Sequence, residues 1–186
     1  WMGVLFEMIL EKKRPSTQKI ISVFIVLVGT ALATNIIQSK IELDWHGIVL
    51  GLLAAASFTT TMFTANRVAT HVSSAQRSLY MLLGGAVIIF GFAIATQTTP
   101  FNFEIFMKWG IVLALFGTVI PPLLFNAGFP LTGIGLGSIV SALELPVSVM
   151  MAYFLLNENV NAVQWLGIVL IIVAIVIMNM NFKKKS

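Results

Sequence analysis

A single carboxylate, that of Glu144, interrupts an apolar run that extends from residue 134 to residue 156. Pro146 follows two positions later and has no N–H, so a helix here would leave the carbonyl of Ala142 without its usual donor. Small and polar residues would share the helix face of Glu144, namely Gly137, Ser141, Ser148 and Met151. An ionised carboxylate at the centre of a hydrocarbon layer costs about 2.5–3.5 kcal/mol. The pattern therefore favours a face directed toward a polar interior.

The sequence leaves two interpretations of Glu144 open. In the first, its side chain binds and releases a proton or a cationic group of a substrate. In the second, it is a structural glutamate that stays protonated and hydrogen-bonded to a neighbouring helix. Lysine, arginine and histidine occur only at the ends of the long apolar stretches or in the connectors between them. We therefore do not expect a fixed ion pair for Glu144.

Two adjacent prolines mark a second polar position. Pro121 and Pro122 lie within the apolar stretch 108–128 and would leave two carbonyls without helical donors, so we expect this helix to kink or break. Thr118 and Asn126 flank Pro122 at four-residue spacing and would add polar groups to one face. Because prolines also occur in membrane helices whose neighbours satisfy the freed carbonyls, a structural role and a binding-site role remain equally open.

The composition indicates the surroundings of these residues. Hydrophobic residues make up 58% of the 186 residues and charged residues 10%, with a mean hydropathy of +0.97; this is typical of an integral membrane protein. Apolar windows of about 20 residues, the length that crosses a bilayer, recur along the chain. We predict an all-α, polytopic transmembrane helical bundle with a half-span and six full spans. The half-span covers 1–10, and the full spans cover 19–37, 46–66, 78–97, 108–128, 134–156 and 163–181.

Basic residues predict the orientation of the chain. When connectors alternate between the two sides of the membrane, nine of the eleven basic residues fall on one side: Lys12, Lys13, Arg14, Lys19, Arg67, Arg77, Lys183, Lys184 and Lys185. Cytoplasmic loops carry such an excess. We therefore expect a multi-pass protein of the cell (inner or plasma) membrane with a cytoplasmic C-terminus. The basic tail 183–186 is interpreted as a membrane anchor, with a lipid-headgroup or nucleic-acid patch as the alternative; we predict no nucleic-acid partner.

No pattern in the chain indicates enzyme chemistry. Cysteine is absent, so thiolate metal sites and disulfides are excluded. The two histidines lack metal-ligand spacing, and we find no nucleophile–base pair and no phosphate-binding loop. We predict no catalytic residue, no metal and no cofactor.

The beginning and the end of the chain share a repeated pattern. Glu11 and Gln18 precede a long aliphatic stretch, as do Glu158 and Gln164. The offsets are 158 − 11 = 147 and 164 − 18 = 146. Five predicted spans separate the two copies, and an odd number inverts the second copy relative to the first. Inverted repeats of this kind are typical of secondary transporters.

These motifs resemble the EamA domain of the drug/metabolite transporter superfamily. The resemblance is carried by Glu144, Pro146, Glu158, Gln164 and Gly167, and by the segment "FGTVIPPLLFNAGFPLTGIGLGSIVSALELP". It implies ten helices in two five-helix inverted repeats around a central cavity. Residues 1–37 would then end the first repeat, residues 44–182 would form the second, and residues 183–186 the tail. About a hundred residues of the first repeat would be missing from this chain.

The resemblance implies a secondary active transporter, and we expect an exporter that moves a small metabolite, an amino acid or an amphipathic drug-like compound by alternating access. Its expected partners are this substrate, the lipid bilayer, a proton as coupling ion, and either the missing N-terminal helices or further copies in a homo-oligomer. The alternatives are a structural or regulatory membrane subunit and, less favoured, a membrane-embedded enzyme acting on lipid-linked substrates. The expected binding residues are Glu144, Ser141, Ser148, Asn126 and Thr118, beside the helix breaks at Pro121, Pro122 and Pro146.

Overall fold

The computed structural model describes residues 1–12, 14–36, 44–98 and 100–180, and these ranges contain helices and no strand. The prediction of an all-α fold is confirmed for them. The helices are α1 (Met2–Glu11), α2 (Thr17–Ala33), α3 (Trp45–Arg67), α4 (Ser74–Thr96), α5 (Phe103–Thr132), α6 (Ile134–Ser141), α7 (Glu144–Leu156) and α8 (Ala162–Asn179). Lys13, Lys40 and the predicted basic tail 183–186 lie outside the described residues.

Five helical segments are long and apolar enough to cross a membrane: α3, α4, α5, the segment Ile134–Leu156 formed by α6 and α7, and α8. Each corresponds to a predicted span. The predicted span 19–37 is not among them, because α2 has only 17 residues. The helix ends where the Thr34 hydroxyl donates to the carbonyl of Thr30 at 2.8 Å and Asn35 adopts a left-handed φ of 56°. The count of six full spans is therefore not confirmed.

The chain divides into two compact units. The first comprises Trp1–Met62 and Gly133–Ser186, and the second comprises Phe63–Thr132. The boundary crosses α3, so the two ends of this helix belong to different units. Glu144 lies in the first unit, whereas Asn126 and Thr118 lie in the second.

An antiparallel pair of helices, α2 and α8, forms the core of the first unit. Two glutamines join them reciprocally. Gln18, at the start of α2, donates to the carbonyls of Ile177 and Met180 at 3.3 and 2.8 Å, and Gln164, near the start of α8, donates to the carbonyl of Ala33 at 3.3 Å. Each glutamine thus binds carbonyls at the end of the partner helix, where the regular i→i−4 hydrogen bonds stop.

Glycines allow the backbones of α2 and α8 to approach closely. A Cβ added at Gly167 would lie 2.6 Å from the carbonyl oxygen of Gly29, and one added at Gly29 would lie 2.9 Å from the carbonyl oxygen of Gly167. Ala33, Ile168 and Ile171, all buried, complete this contact. Small residues serve the same purpose in other membrane helix pairs, because packing and not water exclusion joins helices in lipid.

We expect Gly167→Ala to destabilise the protein by roughly 1–3 kcal/mol, because the added methyl group meets backbone atoms that cannot move aside. The free energy of unfolding in detergent micelles, measured by SDS titration, checks this expectation. Gly91→Ala is the matched control, since a Cβ added at Gly91 in α4 meets nothing within 4 Å. Equal stability of the two variants would contradict the close contact between α2 and α8.

The long helix α5 continues through Pro121 and Pro122. Its winding widens to π-helix over Phe106–Gly110 and Ala114–Val119 and returns to α-helix over Ile120–Thr132. The two prolines therefore follow a π-helical turn, whose wider winding relieves the clash of a proline ring with the preceding turn. The sequence predicted a kink or a break; the helix does not break at Pro121 and Pro122, and its winding changes before them.

An ion pair fixes the short helix α1 within the first unit. The Lys19 ammonium at the start of α2 binds the Glu7 carboxylate, and both side chains are largely buried. A Cβ added at Gly135, in the first turn of α6, would meet this carboxylate. A negative charge at a helix N-terminus is favourable because of the helix dipole, so Glu7 stabilises the start of α6.

Candidate functional site

The segment 134–156 is interrupted immediately before Glu144. Helix α6 ends at Ser141, a turn comprises Ala142 and Leu143, and α7 begins at Glu144. The carbonyl of Ala142 receives only a long hydrogen bond, 3.4 Å, from the N–H of Leu145. Its usual helical donor would be residue 146, which is proline. The interruption thus places a weakly bonded carbonyl, that of Ala142, two residues before the Glu144 carboxylate.

A pocket of about 310 Å³ opens beside this interruption. It is lined by Thr30, Ser141, Ala142, Glu144, Leu145 and Ser148. The structure therefore brings three of the predicted site residues, Glu144, Ser141 and Ser148, into one place. Thr30 comes from α2, more than a hundred residues earlier in the chain, and nothing in the local sequence pattern of α2 singles it out.

The polar groups of this pocket differ in how many hydrogen bonds they already make. Ser141 donates its hydroxyl hydrogen to the carbonyl of Gly137 at 2.9 Å. Among the residues that the structure describes, the Glu144 carboxylate has no hydrogen bond and no ion pair, and the hydroxyls of Thr30 and Ser148 have no hydrogen bond. Glu144 and Ser148 are exposed. The carboxylate is thus available to a ligand.

The remaining members of the predicted helix face lie in different surroundings. Gly137 is buried, whereas Met151 is 53% exposed. The two-residue turn at Ala142 and Leu143 interrupts the helical register between them. The polar face is therefore confined to the pocket and does not continue along the whole segment.

In the second unit, Asn126 belongs to a separate polar cluster. Its side chain is buried and donates to the Ser78 hydroxyl at 2.9 Å and to the Met81 sulfur at 3.2 Å. Thr118, predicted to share its face, is exposed on the π-helical part of α5. The predicted stripe from Thr118 to Asn126 therefore does not form one polar surface.

Arg77 is at the centre of this cluster. It lies in the first turn of α4, and only 8% of its surface is exposed. Its guanidinium donates to the carbonyls of Ala65 and Val68 at 2.8 and 3.3 Å, and also to the carbonyl of Asn126. The carbonyl of Ala65 lies in the last turn of α3 and that of Val68 directly after it. Carbonyls at this end of a helix have no N–H of a following turn to bond to.

The third carbonyl is free because of a proline. Pro130, inside α5, lacks the N–H that would normally bond to the carbonyl of Asn126, and Arg77 supplies the donor instead. The sequence prediction had placed Arg77 in a connector as a topology signal. Two features of the sequence could have indicated this contact: Arg77 directly precedes the apolar stretch 78–97, and Pro130 leaves the carbonyl of Asn126 without its helical donor.

Within the part of the chain that the structure describes, no three His, Asp or Glu side chains come close enough together to hold a metal ion.

Comparison with known proteins identifies the family. Residues 45–180, more than two thirds of the chain, match the model of the EamA-like transporter family. This range includes the interrupted segment, Glu144 and the Arg77 cluster. Neither a curated protein nor a solved structure gives a significant match. The chain therefore belongs to the EamA-like transporter family, whose members are membrane transporters of the drug/metabolite transporter superfamily.

Proposed function

We propose that the protein is a secondary active transporter that exports a small metabolite, an amino acid or an amphipathic drug-like compound by alternating access, and that Glu144 binds and releases the coupling proton or a cationic group. The observation that carries this proposal is the Glu144 carboxylate in an open pocket next to a helix interruption, without an ion-pair partner in the described chain. Interrupted helices form the binding sites of many secondary transporters.

The helix pair α2 and α8 supports an architecture of two inverted five-helix repeats. Gln18 and Gln164 occupy equivalent positions in the repeated sequence pattern, and each donates to carbonyls at the far end of the partner helix. This reciprocity is what a two-fold axis in the membrane plane produces. In this proposal residues 1–37 end the first repeat and residues 44–182 form the second.

Because Glu144 is exposed in this chain, we expect other protein segments to cover its pocket in the membrane. A charged carboxylate facing lipid would be strongly unfavourable, so additional helices of the same protein or a second copy of the chain would cover it. The distribution of basic residues supports an orientation in the cell membrane with a cytoplasmic C-terminus.

Vesicles test the proposal. The full-length protein that contains this chain is reconstituted with a pH-sensitive dye inside, a pH gradient is imposed, and candidate metabolites, amino acids and amphipathic amines are added one by one. We expect a transported compound to dissipate the gradient faster than in protein-free vesicles.

The 186-residue chain alone serves as the comparison. If further helices of the same protein cover the pocket, this chain should produce no flux. Equal flux from both proteins would instead support completion of the pocket by a second copy. Absence of compound-dependent proton movement with the full-length protein, across the whole set, would contradict proton-coupled export.

A further inference from the structure

We propose that the Glu144 pocket binds a protonated primary amine, and that Thr30 is one of its ligand-binding residues. This inference rests on the proposed function, because it names the chemical class of compound that the transporter would carry. It assigns a role to a residue of α2 and to the backbone carbonyl of Ala142, both of which line the pocket.

The charge of the pocket selects a cation. Glu144 is the one ionisable group in its lining, and no lysine, arginine or histidine of the described chain lines it. An anionic ligand would meet the carboxylate with no compensating positive charge. A cation would supply the counter-charge that a carboxylate in low-dielectric surroundings requires.

The oxygen atoms of the pocket select a cation that carries several N–H groups. The Glu144 carboxylate and the Ala142 carbonyl can only accept hydrogen bonds. The Ser141 hydroxyl has already given its hydrogen to Gly137, so it too can only accept from a ligand. Thr30 and Ser148 hydroxyls make no hydrogen bond within the described residues and are free to accept.

A primary ammonium group matches this arrangement. It carries one positive charge and three N–H donors, whereas a quaternary ammonium carries the charge without donors. The volume of about 310 Å³ lies at the low end of small-molecule sites, and Leu145 adds an apolar wall for a short hydrocarbon part. The pocket therefore suits a small amine with a short apolar part.

Binding of four matched probes tests the proposal. The full-length protein that contains this chain is placed in nanodiscs of phosphatidylcholine, whose headgroups carry no net charge, and titrated calorimetrically at pH 7 with butylamine, butyltrimethylammonium, butanol and butyrate. We expect butylamine, protonated at this pH, to bind most tightly. Butyltrimethylammonium should bind about tenfold more weakly, because it cannot donate hydrogen bonds to the pocket. Butanol and butyrate should show no saturable binding.

Two variants and a control locate the effect. Thr30→Val should weaken butylamine binding about tenfold and leave butyltrimethylammonium binding unchanged, since it removes one hydrogen-bond acceptor and keeps the side-chain shape. Glu144→Gln should abolish saturable binding of both cations. Thr96→Val, which alters an exposed threonine of α4 that bonds to the carbonyl of Phe92, should change neither.

Several results would overturn the amine assignment. These are tighter binding of butyrate or butanol than of butylamine, equal binding of the two cations, an unchanged butylamine affinity in Thr30→Val, or no saturable binding of any probe. The proposed function is judged separately by flux. A transporter whose flux depends on Glu144 but which fails these binding tests would keep its proposed function and lose the amine assignment.

Discussion

Glu144→Gln is expected to abolish pH-dependent flux in the full-length transporter while leaving folding and membrane insertion intact. Glutamine has nearly the size and hydrogen-bonding capacity of a protonated glutamate but cannot ionise, so the side chain can no longer bind and release a proton or neutralise a cation. Flux in proteoliposomes, measured over a range of pH values, checks this result. Glu144→Ala should give the same loss of flux with an additional loss of stability.

Glu104→Gln is the matched control for this experiment. Glu104 lies at the start of α5, is exposed, and forms an ion pair of 2.6 Å with Lys108 on the same helix. Exposed ion pairs of this kind contribute little to the stability of a protein, so the Glu104→Gln variant should fold and should transport with the normal pH profile. If Glu144→Gln also transports at the normal rate with an unchanged profile, Glu144 is a permanently neutral structural residue, and the alternative interpretation of the sequence is right.

Arg77→Gln should produce the largest loss of stability of any single substitution discussed above, about 3 kcal/mol. The guanidinium donates to the carbonyls of Ala65, Val68 and Asn126, and its removal would take this donor from the two buried acceptors, Ala65 and Asn126. The shorter glutamine side chain cannot reach all three. The free energy of unfolding in mixed micelles, measured by SDS titration, checks the magnitude.

Arg67→Gln provides the comparison, because it removes an equal charge ten residues earlier from an exposed side chain at the end of α3. Its effect on stability should be within about 1 kcal/mol. A loss in Arg77→Gln no larger than in Arg67→Gln would mean that other groups or water satisfy the carbonyls of Ala65, Val68 and Asn126. The buried cluster would then have no special role in holding α3, α4 and α5 together.

Local patterns in the sequence were sufficient to predict most of the helices. A membrane span is recognised from about 20 consecutive apolar residues, so the segments that became α3, α4, α8 and 134–156 follow from composition alone. The end of α2 did not follow. It depends on the left-handed backbone of Asn35 and on the hydrogen bond of the Thr34 hydroxyl. Hydropathy averaged over about 20 residues carries no information on such single conformations.

The effect of each proline depended on its surroundings. Pro146 lies beside an interruption with a weakly bonded carbonyl, whereas Pro121 and Pro122 lie in a continuous helix after a π-helical turn. The positions of the prolines in the sequence show which backbone N–H groups are absent from each helix. Whether a helix then ends, changes its winding or gains an outside donor depends on the neighbouring groups, as Arg77 shows for Pro130.

The sequence by itself determined the class of the protein and the position of one carboxylate within an apolar segment, because both depend on residues close together in the chain. It also contained the repeated glutamines of α2 and α8. Only the tertiary structure decided that Thr30 joins Glu144 in one pocket and that Arg77 bonds to the carbonyl of Asn126. The residues of these two pairs are 114 and 49 positions apart. Such residues come together only when helices pack, since no local periodicity brings them together.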